Sequence, residues 1–127
     1  MRTLATIGLV LLSALGAAAD EIVIEGGMLR PPVLRTTTAH RVTFVNRTGR
    51  LVHIEFTGDP GEHQVFQVPG QIWAVFHRPG RHPYAVHVYG GGLLTTLQGL
   101  VEVVDNPEHP WESTTCGVIV MGNCIVP

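Results

Sequence analysis

The sequence predicts an all-β sandwich or barrel, and three observations carry the prediction. Short runs of alternating or β-branched apolar residues recur from Ile22 to Val104. Clusters of Gly and Pro separate them at the spacing of turns. After the N-terminal segment, no window keeps a 3.6-residue apolar period long enough for a major helix.

The elements follow in chain order. MRTLATIGLVLLSALGAAAD has an early Arg2, an apolar run from Leu4 to Leu15, and small residues at Ala17 and Ala19. That is the pattern of a signal peptide, 1–19, cleaved before Asp20, so the chain is expected to be periplasmic or secreted. The apolar run is short for a membrane span, which takes about 20 residues. EIVIEGG opens the folded part, with Ile22 and Ile24 alternating and Gly26-Gly27 turning the chain. VLRTTTAHRVTFVN, Val33 to Asn46, is β-branched throughout and reads as a hairpin. LVHIEF, HQVFQV and QIWAVFH each form a further strand, separated by the turn over 58–61 and by Pro69-Gly70. After Pro79-Gly80, HPYAVHVY alternates cleanly, Gly90-Gly91-Gly92 opens a glycine-rich loop, and LVEVV is the last strand of the set.

Residues 20–105 therefore read as one β domain and 106–127 as a C-terminal extension, packed on the sandwich or offered to a partner. The extension begins Pro-rich and ends in CGVIVMGNC, an apolar stretch bounded by the only two cysteines, Cys116 and Cys124. In an exported chain a disulfide is the expected state of such a pair. The alternative is a soft Cu(I) site built from Cys116, Cys124 and Met121, because thiolate and thioether ligands select Cu(I).

Composition excludes several classes. The net charge is −2 with no basic cluster, so nucleic acid is not an expected partner. No nucleophile-elbow, zinc-protease or phosphate-loop motif is present, and the acids Asp59, Glu62 and Asp105 have no pairing logic, so no enzyme is expected. Seven histidines are many for a short exported chain, and imidazole suits copper and zinc.

The order of features between Ile22 and Val104 resembles the cupredoxins, small Greek-key copper proteins. The resemblance is carried by a first strand leading to the prolines after Met28, by VTFVN ending in Asn46, by RTGRLVHIEF with His53, and by a Pro-Gly-x-x-x-Tyr strand before a loop and a last Gly-x-Val-x-Val strand. It implies a Greek-key β-sandwich of cupredoxin type. It also implies a blue-copper site made of a His after the Asn strand, then Cys, His and Met from the last loop. Only the first of these carries over, to His53. The Cys position falls on Val86, the second His position near Tyr89 and the Met position on Leu97. Without a thiolate, blue-copper electron transfer is not expected.

In that layout His53 and His87 lie near one end of the sandwich with Met28 close by, and these three are the candidate copper ligands. Strand alternation turns His87 away from Tyr84, Val86 and Val88, and a local bulge would turn it toward His53. His77 and His82 flank the turn at the other end as a weaker pair, with His40 and His63 there as surface residues; His109 reads as solvated. Trp73 and Trp111 read as core and tail anchors. Two functions are expected from different classes. One is an exported copper-binding protein with a non-blue, His-based site, acting in copper handling. The other is a metal-free cupredoxin-fold module that binds another exported or membrane protein.

Overall fold

The computed structural model describes residues 20–57, 63–108, 110–112 and 116–126. The signal-peptide reading of 1–19 and the reading of His109 lie outside the described residues.

The chain forms two facing sheets and no helix among the described residues. Strands β1 (Asp20–Glu25), β2 (Met28–Arg30), β4 (Arg41–Asn46), β7 (Gln71–Phe76), β10 (Val118–Val120) and β11 (Asn123–Val126) make one sheet, in the order β11-β10-β7-β4-β1-β2. Strands β3 (Val33–Thr37), β5 (Leu51–Thr57), β6 (His63–Gln67), β8 (Gly80–Gly90) and β9 (Leu93–Val104) make the other, in the order β3-β9-β8-β5-β6. Alternation decides which side chains go inside. In β5, Val52, Ile54 and Phe56 are buried, whereas Leu51, His53 and Glu55 face out; in β8, Tyr84, Val86 and Val88 are buried, whereas Ala85, His87 and Tyr89 face out. The two inner faces meet around Phe44, whose ring stands edge-on to Tyr84 at 5.3 Å and to Phe56 at 5.8 Å.

Two elements differ from expectation. The run from Val33 to Asn46 is not a hairpin. Its halves, β3 and β4, belong to different sheets: β3 runs parallel to β9 and β4 runs parallel to β1. The chain crosses between sheets at Thr38–His40, where the amide of Thr38 bonds the carbonyl of Val104 and that of Ala39 bonds the carbonyl of Phe76. A β-branched run fits either arrangement, so propensity does not separate them.

Nor is there a glycine-rich loop after β8. Gly91 and Gly92, with φ of 62° and 77°, form a two-residue turn of the kind that requires positive φ at both positions. LLTTLQG is consequently strand, the first half of β9, held against β8 from Gly90↔Leu93 to Gly80↔Val103.

The C-terminal segment packs on the sandwich by adding two strands to it. β10 pairs with β7, β11 pairs with β10, and Val118, Val120, Ile125 and Val126 enter the core. Cys116 and Cys124 form a disulfide, which sets aside the Cu(I) site with Met121. Met121 sits at the turn of this hairpin, with its sulfur 3.3 Å from the amide nitrogen of Trp73. Trp73 is not in the core: it is half-buried on the outer face, under the guanidinium of Arg41 at 4.2 Å. Trp111, in the tail segment, lies 5.5 Å beneath Arg78.

Candidate functional site

His53 and His87 are direct cross-strand partners. The β5–β8 register runs unbroken from Leu51↔Tyr89 through His53↔His87 to Phe56↔Tyr84, so no bulge is needed to bring them together. Both project from the outer face of the five-stranded sheet. Their rings diverge along the strands. His87 leans toward Glu55, with Nε2 2.9 Å from Oε1, and its Nδ1 lies 3.1 Å from the Thr96 hydroxyl. His53 leans the other way, edge-on to the ring of Tyr89 at 5.1 Å. The His87 and Glu55 side chains are 20% and 27% exposed, so the pair is sheltered from water on part of its surface.

Met28 does not join them. It lies on β2, at an edge of the opposite sheet, beside the inward-facing Leu29, and is itself 52% exposed. The sandwich therefore separates Met28 from the two histidines.

The same parity splits the positions that a cupredoxin metal site would use. His53 and Tyr89 face out; Val86 and Leu97 face in, paired with each other across β8 and β9. On the inner face, the β5 residue beside His53 is Val52, fully buried and paired with Val88. A shift of one residue along a strand moves a side chain to the other face, and His53 is one residue from the inward position. The inward positions at this end, Val52, Val86, Val88 and Leu97, offer no lone pair to copper. The fold's usual metal centre does not fit these residues. Among the described residues, no group of three or more His, Cys, Asp or Glu side chains is placed to hold a metal ion.

Three further histidines, His82, His77 and His40, have local roles. His82 is half-buried against Phe76 with ring centroids 5.2 Å apart, and its Nε2 lies 2.8 Å from the Arg78 carbonyl oxygen. Burial, above all, pulls its pKa below the ordinary value. His77 ties its amide to the carbonyl of Gly117 and so helps hold the tail. His40 is exposed, with Nδ1 3.3 Å from the Thr37 hydroxyl and 3.5 Å from Asp20.

Sequence reasoning missed the end of the sandwich where β8 turns into β9. Four segments converge there: the Gly26-Gly27 turn, the loop from Asn46 to Leu51, Val68 to Gly70, and the β8–β9 hairpin. Asn46 organises them. Its amide nitrogen donates to the carbonyls of Arg50 and Val68, and its side-chain oxygen accepts from the amide and hydroxyl of Thr48. Leu93, Leu94, Thr95 and Thr96 are exposed on both faces, with Leu93 at 73%. Strand β3 pairs with β9 only from Leu100 to Val104, so among the described residues no strand pairs with the edge of β9 nearest the turn. No residue from Leu93 to Gly99 is charged or proline, the two features by which sheets commonly protect an edge. The signal in the sequence was Gly-Gly followed by a β-compatible run, which predicts a tight hairpin as readily as a loop.

No protein-family model and no curated protein sequence matches the chain. Solved structures do. Amicyanin from Paracoccus versutus is similar over 69% of this chain and 83% of its own, at 16% identity and a TM-score of 0.52. The reduced state of an amicyanin variant is similar over 69% and 84%, at 17% identity and a TM-score of 0.53. A reduced Cu(I) form of another amicyanin variant is similar over 68% and 83%, at 18% identity and a TM-score of 0.52. The fold is thus an all-β sandwich of cupredoxin type.

Proposed function

We propose that this chain is a cupredoxin-fold binding module of the exported compartment, which works by docking another exported protein at its β8–β9 hairpin end. The single observation that carries this reading is the open edge of β9 from Leu93 to Thr96, projecting beyond β3 without charge or proline. In a two-residue hairpin the residues flanking the turn are a hydrogen-bonded pair, and bonded pairs then alternate. With Gly90↔Leu93 as that pair, the amides of Leu94 and Thr96 point away from β8. They offer main-chain bonds to an extended segment of a partner, and Leu93 and Leu94 offer apolar area beside them. The aliphatic residues at the inward metal positions support a role that does not use the fold's usual copper centre.

A photo-crosslinking residue placed at Leu94 in the full exported chain tests this. We expect one discrete adduct that persists with Thr96→Val and disappears with Thr96→Pro, which removes an outward amide. Adducts equally abundant from a crosslinker at Val65, on the far edge strand, or insensitive to Thr96→Pro, would refute docking by strand addition.

A second reading, copper handling, is favoured by one observation: the register that sets His53 opposite His87 with Glu55 beside them. Imidazole and carboxylate are ligand types that suit Cu(II), and the His53 ring would have to turn from Tyr89 toward His87 to share an ion with it. Here His53→Ala and His87→Ala should each weaken Cu(II) binding tenfold or more in a titration. Equal binding by wild type and both variants would remove this reading.

A further inference from the structure

We propose that the cleft beside the hairpin end is a binding site for an organic carboxylate. The cleft has a volume of about 380 Å³ and is lined by Gly26, Gly27, Arg47, Arg50, Val88 and Thr95, among others. It is lined on one side by the projecting hairpin and on the other by the β1–β2 turn of the opposite sheet and the loop that links β4 to β5.

Two arginines, Arg47 and Arg50, line it, and among the described residues no carboxylate does. Among the described residues, neither Arg47 nor Arg50 makes an ion pair; Glu25, beside the Gly26-Gly27 turn, is held by Arg30, and Glu55, the nearest acid along the chain, is held by His87. Uncompensated like charges at one mouth repel each other and favour an anion between them.

Arg50 is held in place from two directions. Its carbonyl accepts from the Asn46 side chain, and its own amide bonds the Thr48 hydroxyl, so the loop that carries it is tied at both ends. Its side chain lies against Gly90. A Cβ at Gly90 would collide with Nη1 and lie 2.7 Å from Cδ, so the absence of a side chain there makes room for this arginine. Gly26 and Gly27, with φ of 56° and 75°, turn the facing loop without placing a side chain in the mouth.

The lining selects the class of anion. A planar guanidinium matches a carboxylate through paired hydrogen bonds. Val88 supplies an apolar floor against which the carbon body of the ligand rests, and the Thr95 hydroxyl supplies a neutral donor. A fully solvated inorganic anion gains nothing from Val88. The carboxylate can belong to a free organic acid or to an acidic side chain of a protein segment. The assignment does not depend on strand docking, which is read by crosslinking and not by ligand titration.

The test is a titration of the ¹⁵N-labelled chain at constant ionic strength, following the amides of Gly27, Val88 and Thr95. The probes are butyrate, a blocked aspartyl peptide and inorganic phosphate. We expect saturable shifts with butyrate or with the peptide, whichever saturates at lower concentration identifying the source. Arg50→Gln and Gly90→Ala should each weaken that binding by about tenfold, the loss of one charge-assisted hydrogen bond. Arg35→Gln removes the same charge from an exposed site elsewhere and should leave it unchanged. Gly90→Ala separates a built site from a general positive field, because it moves the guanidinium without altering net charge. No saturable shift with either carboxylate, equal response to phosphate, or wild-type binding by Gly90→Ala would each overturn the proposal.

Discussion

Gly99 shows how closely single positions are set. It faces Tyr84 across the β8–β9 ladder, and a Cβ there would run into the Tyr84 ring, 2.7 Å from Cε1. Tyr84 is buried and packed against Phe44 and Phe56, so the ring has no room to retreat. Gly99→Val should therefore destabilise the fold by about 1–3 kcal/mol, the usual range for overpacking; an unchanged thermal midpoint would show that the ring moves aside. His82 supplies a second effect at this scale. Burial lowers its pKa in the folded state, opposed by the bond to the Arg78 carbonyl and aided by the Arg78 charge. Between the lowered folded pKa and the unfolded value of about 6.5, the unfolded chain binds more protons, so stability rises with pH there. Acidification from neutrality should lower the unfolding midpoint, and His82→Gln should flatten that dependence. An equal pH slope in the variant would assign it to other groups.

At the scale of elements, the C-terminal hairpin is a structural part of the sandwich. β10 and β11 complete the six-stranded sheet, and the disulfide closes the hairpin across a sequence separation of 8. Cross-linking a short loop contributes on the order of 2–3 kcal/mol through the unfolded chain. Reduction, or Cys116→Ser with Cys124→Ser, should lower the thermal midpoint accordingly, and amide exchange should accelerate first in Val118–Val120 and Asn123–Val126. Thiol alkylation before and after reduction reports on the bond directly; two reactive cysteines in the native chain would contradict it. The tail was legible as a cysteine-bounded apolar segment. Its place beside β7 was not, because pairing partners far apart in sequence leave no local mark.

The whole molecule separates the positions that resemblance would bring together. His53 and Tyr89 lie outside the five-stranded sheet, Val86 and Leu97 inside it, and Met28 across the sandwich on an edge of the other sheet. Copper added to the protein therefore finds no thiolate, since both sulfurs of the cysteines are committed to each other. The expected outcome is no intense visible thiolate-to-copper band in the Cu(II)-treated protein. Such a band, retained after both cysteines are replaced by serine, would contradict the placement of Val86. Among the described residues no helix is long and apolar enough to cross a membrane.

By itself the sequence determined what local physics determines. Alternation set strands and their two faces: Val52, Ile54 and Phe56 against His53 and Glu55, Val86 and Val88 against His87. Gly and Pro marked the turns, and the order of these features carried the cupredoxin-type fold. Tertiary structure decided what depends on pairing. It sent β3 and β4 to different sheets, although their shared β-branched composition reads as a hairpin. It turned a glycine-rich stretch into a two-residue turn and so removed the loop in which copper ligands were sought. It set His53 directly opposite His87 without a bulge, and it gathered Arg47, Arg50, Gly26 and Gly90 from separate segments into one cleft. Periodicity fixes the face on which a side chain emerges, because the pleat has a period of two. Which strands become neighbours is settled by burial of the whole set of apolar faces at once, and that is a property of the assembled sandwich.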